Sequence, residues 1–298
     1  MMTTNFTSPP ALGVILLVYA TASFAAESED DGVASFAIDT KVTFTSDSRN
    51  RGISDSLKGP AARLSVQAAH ASGFVVFADF ATVNKKQFPE GNGVSATFAG
   101  GYRFGNPDGW HFGVGLAAEV FPGAKFSAPQ SYDAGSSTPG DFRTSNYNTN
   151  FALLEVGYGA FEARVFNVLS RTYRGADTGG VCGSILQFSA DPQAAASCYG
   201  RGNHGTRGTL LLDLDYKYEL TSTTVLNLHA GHQRMANFSE GNFTDYRIGL
   251  THKRWGYEWN VDWVTTRTKA VELYLVQDGD RTRRLDRSAV VLSVSRSF

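Results

Sequence analysis

The residues best placed to do chemistry in this chain are charged pairs two positions apart: Asp39 and Lys41, Glu162 and Arg164, Asp245 and Arg247, and the run Asp213, Asp215, Lys217, Glu219. Residues two apart on an extended chain share a face, so each set forms a strip of mixed charge along one side of a strand. Such strips can hydrate a passage, set a transverse field across it, or neutralise one another as salt bridges. Arg63, Asp79, Arg103, Glu119, Glu155, Lys253, Glu258 and Asp262 fall on the matching parity of other alternating segments, giving eleven acids and seven bases in all.

Nucleophilic or metal chemistry is not expected. A hydrolase needs a nucleophile, a base and an orienting group that converge. His229 and His232 are three apart and would point to opposite faces of a strand, while His70, His111, His204 and His252 are scattered. No Gly-x-Ser-x-Gly elbow occurs. Gly113-x-Gly115-x-x-Ala118 mimics a dinucleotide fingerprint, but it sits in an alternating segment with no helix after it, where small residues relieve crowding. No metal and no cofactor is expected. The net charge of −1 and the lack of a basic stripe interleaved with aromatics exclude a nucleic-acid partner.

These charges belong to elements of period two. Ala34, Phe36, Ile38, Thr40, Val42 and Phe44 alternate with Ser35, Asp39, Lys41 and Thr43, and Leu210 to Tyr218 alternates with Asp213 to Glu219. Twelve such segments are expected, near residues 33–46, 61–70, 73–83, 94–104, 110–121, 148–158, 160–170, 208–219, 223–233, 243–253, 256–267 and 287–298. A tilted membrane strand needs about 9–11 residues, which these lengths meet. Connections alternate short and long, as in an up-and-down barrel with one rim on each side of a membrane, and the longest are 122–147 and 171–207. Residues 268–286 either extend the eleventh strand or add a hairpin, which would make fourteen.

An apolar run from Ala11 to Ala20, then Ser23-Phe24-Ala25 and acidic residues, reads as a cleaved export signal over residues 1–25, leaving 26–298 as a single barrel domain. Nothing later approaches the ~20 apolar residues of a membrane helix. An unpaired backbone group in hydrocarbon costs several kcal/mol, so a spanning sheet must close. The expectation is an all-β, transmembrane, antiparallel up-and-down β-barrel in the outer membrane of a Gram-negative bacterium. The alternating C-terminus ending in Phe298 suits recognition by the barrel-assembly machinery. Cys182 and Cys198, with fifteen residues between them in a Gly/Ser/Ala-rich stretch, are expected to form a disulfide, since two thiols leave a zinc sphere half empty.

Thr45 to Ser56, including Arg51-Gly52-Ile53-Ser54, followed by Pro60-Ala61 and Ser72-Gly73-Phe74, resembles the opening of the TorF family of porins. Ser48 and Asn50 stand where that family tends to carry aromatics. The resemblance implies an outer-membrane barrel whose substrates are poorly defined. Read on their own, Arg49, Arg51 and Gly52 form an outer-loop motif: Gly52 allows a tight turn, and the charges can meet acidic groups of neighbouring loops or lipopolysaccharide phosphates. The leading expectation is a porin-like channel for small polar solutes or ions, mildly favouring cations. A closed structural barrel, a loop-borne binding surface and an outer-membrane hydrolase are the alternatives.

Overall fold

Alternation persists along the chain because each strand separates two different surroundings. In the computed structural model, which describes residues 36–189 and 191–298, it becomes twelve barrel strands. These are β1 (Phe36–Thr45), β2 (Ala61–His70), β3 (Phe74–Thr82), β4 (Val94–Gly105), β5 (Trp110–Val120), β6 (Thr149–Tyr158), β7 (Phe161–Val168), β8 (Leu210–Thr221), β9 (Thr224–Arg234), β10 (Phe243–Arg254), β11 (Tyr257–Thr268) and β12 (Ala289–Ser297). Each pairs antiparallel with its neighbours in sequence, and β1 pairs with β12 through Phe44 opposite Val294 to close the cylinder. Closure leaves no sheet edge to be satisfied. The expected export signal over residues 1–25 and Ala34 lie outside the described residues.

One parity of every strand is apolar and exposed. Ile38, Leu116, Leu154, Trp110 and Val290 are each more than 60% exposed, in a belt continued by Phe36, Phe74 and Leu292. Monomeric soluble proteins rarely expose apolar patches beyond a few hundred Å², so this surface suits hydrocarbon. No helix among the described residues is long and apolar enough to cross a membrane.

One rim carries short turns; at the other, long connections fold into structure of their own. Lys125–Asp133 and Thr138–Asn146 form a hairpin, and Leu275–Asp278 and Arg281–Arg284 form a second. The second is a separate sheet, so the barrel count stays at twelve rather than fourteen. Residues 171–207 contain two helices, α1 (Thr178–Phe188) and α2 (Pro192–Tyr199), where the sequence shows no helical period. Local devices make them: Asp177 accepts a hydrogen bond from Gly180 N at 3.0 Å, Asp191 accepts one from Gln193 N at 2.9 Å, and the Cys182–Cys198 disulfide joins the two. Replacing both cysteines by serine is expected to remove about 3 kcal/mol of constraint on this loop. Limited proteolysis checks this. Faster cleavage within 178–199 and an intact barrel are expected, whereas an unchanged rate means packing alone holds the helices.

The long connections also turn inward. Ile53, Tyr173 and Tyr274 from three of them join Phe151, Phe166, Leu211 and Phe243 of the wall in one buried cluster. That end of the barrel therefore holds an apolar core, where the inward parity of the wall strands passes from charged to apolar residues.

Candidate functional site

Below this core lies a belt of ion pairs set by strand register. Asp213 of β8 stands opposite Gly231 of β9, which stands opposite Asp245 of β10; one step on, Asp215, His229 and Arg247 form the next row. His229 bridges the rows, with Nδ1 2.9 Å from Asp215 and Nε2 3.0 Å from Asp245. Arg164 of β7 pairs with Asp215 and, at 3.1 Å, with Glu162. Arg247 approaches Asp215 at 3.8 Å.

The space over Gly231 is filled from across the barrel. Arg51, in the connection between β1 and β2, pairs with Asp213 and places Nε 3.5 Å from Asp245; its side chain is 1% exposed. A Cβ on Gly231 would lie 2.8 Å from its Nη2. The connection reaches this far because its backbone rests on the wall: Gly52 has φ +76°, and a Cβ there would lie 2.0 Å from Thr266 Oγ1 of β11. Asp47 gathers the rest, accepting from Arg49 Nε at 2.7 Å, Ser54 Oγ at 2.6 Å and Ser56 Oγ at 2.9 Å. Arg49 also donates to the carbonyl oxygens of Gly52 and Arg287. Thus Arg51 points to the barrel wall, away from any surface anion, while Arg49 holds the turn together.

A second buried arginine repeats the arrangement. Arg174 donates to both carboxylate oxygens of Asp55 at 3.1 Å and to Glu119 of β5, through Nε at 2.8 Å and through Nη2. Its side chain is also 1% exposed, and the guanidinium carbon sits 5.1 Å from the Phe121 ring centroid. Burial drives the Asp55 carboxyl above its ordinary range, and Arg174 is the largest force against that. Arg51-Gly52 and Arg174-Gly175 share one backbone device, left-handed φ at both residues (48° and 76°, 45° and 78°). The sequence reading missed Arg174 and Asp55; Arg-Gly also occurs at 201–202 and 207–208, where the arginines are exposed, so the pair alone does not mark a buried one.

The remaining charges are more dispersed. Lys41 pairs with Glu258 at 2.7 Å, Arg63 with Asp79 at 3.5 Å and Arg103 with Glu155 at 2.8 Å. Lys253 approaches Glu258 at 3.7 Å. Asp39 and Asp262 enter no ion pair among the described residues, and Lys217 and Glu219 lie exposed toward the short-turn rim. His232 is exposed, with Nδ1 2.9 Å from Thr244 Oγ1, so the two β9 histidines occupy opposite faces.

The chain matches no family model and no curated protein. Solved structures similar to it include the KdgM porin (9% identity, TM-score 0.43, 88% of this chain and 98% of that one) and the NanC porin (10%, 0.48, 87% and 98%). An outer-membrane channel from Pseudomonas putida F1 is similar at 10% identity and TM-score 0.38, covering 91% of this chain and 97% of that chain.

Proposed function

We propose that this protein is an outer-membrane channel of a Gram-negative bacterium, passing small polar solutes or ions through a lumen narrowed by its own loops. The observation that carries this reading is the inner belt of opposite charges inside a closed cylinder with an apolar exterior. A barrel meant only to be filled gains little from so many buried ions, because desolvation offsets much of their attraction. The polar parity, from Asp39 and Lys41 through Arg247 and Asp262, lines this lumen, and its excess of acids favours cations mildly. The export signal, Phe298 as a handle for the assembly machinery, and the likeness of residues 45–84 to the TorF family support the same address, with membrane lipid and lipopolysaccharide around the barrel. Twelve strands fall between the roughly eight that side chains fill and the sixteen or more of wide porins, so the passage is restricted.

A second reading has its own observation. Ile53, Tyr173 and Tyr274 pack the long-connection end into an apolar core, which favours a closed barrel. Planar-bilayer recordings on refolded protein separate the two. Small discrete currents with a reversal potential on the cation side are expected; silence at every voltage leaves the closed barrel.

A further inference from the structure

At the short-turn rim, away from Arg51 and Arg174, His111, Glu155 and Glu162 come together from β5, β6 and β7. One ligand atom from each lies within 4.8 Å of the other two. Register brings them together: Gly157 of β6 stands opposite His111 on one side and opposite Glu162 on the other, with Glu155 two residues away on the same face. The adjoining turns are tied by Gly159 N donating to Gly109 O at 3.3 Å.

Two glycines open the space. A Cβ on Gly157 would lie 2.0 Å from His111 Nε2, and one on Gly113 would lie 3.3 Å from Glu155 Oε1. The imidazole is seated where only a glycine permits it. Its Nδ1 lies 3.3 Å from Gly109 O, which accepts a hydrogen bond in the tautomer with the proton on Nδ1, the one whose Nε2 lone pair can ligate a metal. Glu155 has a side chain 2% exposed; Arg103 Nη2 donates to its Oε2 at 2.8 Å and stands equally close to its Oε1. Glu162, 23% exposed, has room to swing the remaining distance.

From this geometry we propose a divalent transition-metal site with one imidazole and two carboxylate ligands and a coordination position left for water. Imidazole with carboxylate suits zinc, copper or nickel; magnesium and calcium prefer all-oxygen shells and gain little from the imidazole nitrogen. Arg103 and Arg164 already neutralise the two glutamates, so the site binds through its geometry and its nitrogen more than through excess negative charge. The proposed site is the same whether the lumen is open or closed.

Calorimetric titration of the full-length refolded protein in detergent tests the site. Zinc chloride is expected to saturate at one ion per chain, while magnesium and calcium chlorides give no binding. His111→Ala and Gly157→Ala, the second leaving every ligand in place, are each expected to weaken zinc at least about tenfold. X-ray absorption of the zinc-loaded wild type is expected to show one imidazole among oxygen ligands, and this reading stands even if a variant fails to fold. Absence of saturable zinc binding, a His111→Ala variant that binds like wild type, or a zinc shell without imidazole overturns the proposal.

Discussion

Arg174→Met is expected to destabilise the folded barrel by about 3–5 kcal/mol, because it leaves Asp55 and Glu119 buried beside each other with no counter-charge. Arg174 now answers both carboxylates with one planar fork, a geometry that lysine, as a single point charge, does not reproduce. Arg174→Lys is therefore expected to recover only part of the loss. Neutralising all three groups together, as Arg174→Met with Asp55→Asn and Glu119→Gln, removes the stranded charges and is expected to restore most of it. The deficit also carries a pH signature. Burial already holds Asp55 above its unfolded value, so a folded state lacking Arg174 binds a proton there more readily than the unfolded chain does. Stability from that proton is present at low pH and disappears as pH rises through the folded value. The single variant is thus expected to lie closest to wild type in acid and furthest from it above neutrality. Urea midpoints of lipid-folded protein at two pH values measure this; a deficit that grows toward acid contradicts the account.

How much of this was legible in the residues follows from what each interaction is local to. The twelve strands and their parity could be read because alternation is written into consecutive residues, and boundaries such as 94–104 against the observed Val94–Gly105 differ by a residue or so. Cys182 and Cys198 were legible as a pair for a similar reason, being close in sequence and the only cysteines. The helices α1 and α2 were not. Their stability comes from aspartate caps and a crosslink, and their Gly- and Ala-rich turns carry no apolar stripe. The ion-pair belt was half legible: strand parity gave Asp213, Asp215 and Asp245 a common face, but the cations that answer them come from elsewhere. Arg51 is 162 residues from Asp213, and Arg174 is 119 from Asp55. Contacts of that range depend on how connections fold back into the cylinder, which strand periodicity does not encode. His111 illustrates the same limit, since it looks isolated until closure of the sheet sets it over Gly157.

Arg51→Ala is expected to change the channel itself. The connection carrying Arg51 is held across the bore by that guanidinium, between Asp213 and Asp245, by Gly52 resting on Thr266, and further along by Asp55 on Arg174. Removing one member of a buried charge cluster costs about 3–5 kcal/mol, and here the cost falls on the docked position of the connection, because undocking returns both aspartates to water. A penalty of about 3 kcal/mol raises the undocked population roughly a hundredfold. Undocking also withdraws a positive charge from the row that contains Asp213 and Asp245, next to the row of Asp215, so the wider state should select cations more strongly. In planar bilayers the variant is therefore expected to visit a larger conductance state far more often than wild type, with its reversal potential moved toward the cation limit. Protease access to residues 47–58 provides a readout that needs no current, and it should rise in parallel. If cleavage and conductance both stay at wild-type levels, the connection is held by its apolar contacts around Ile53 and Leu57, and the arginine is not its latch.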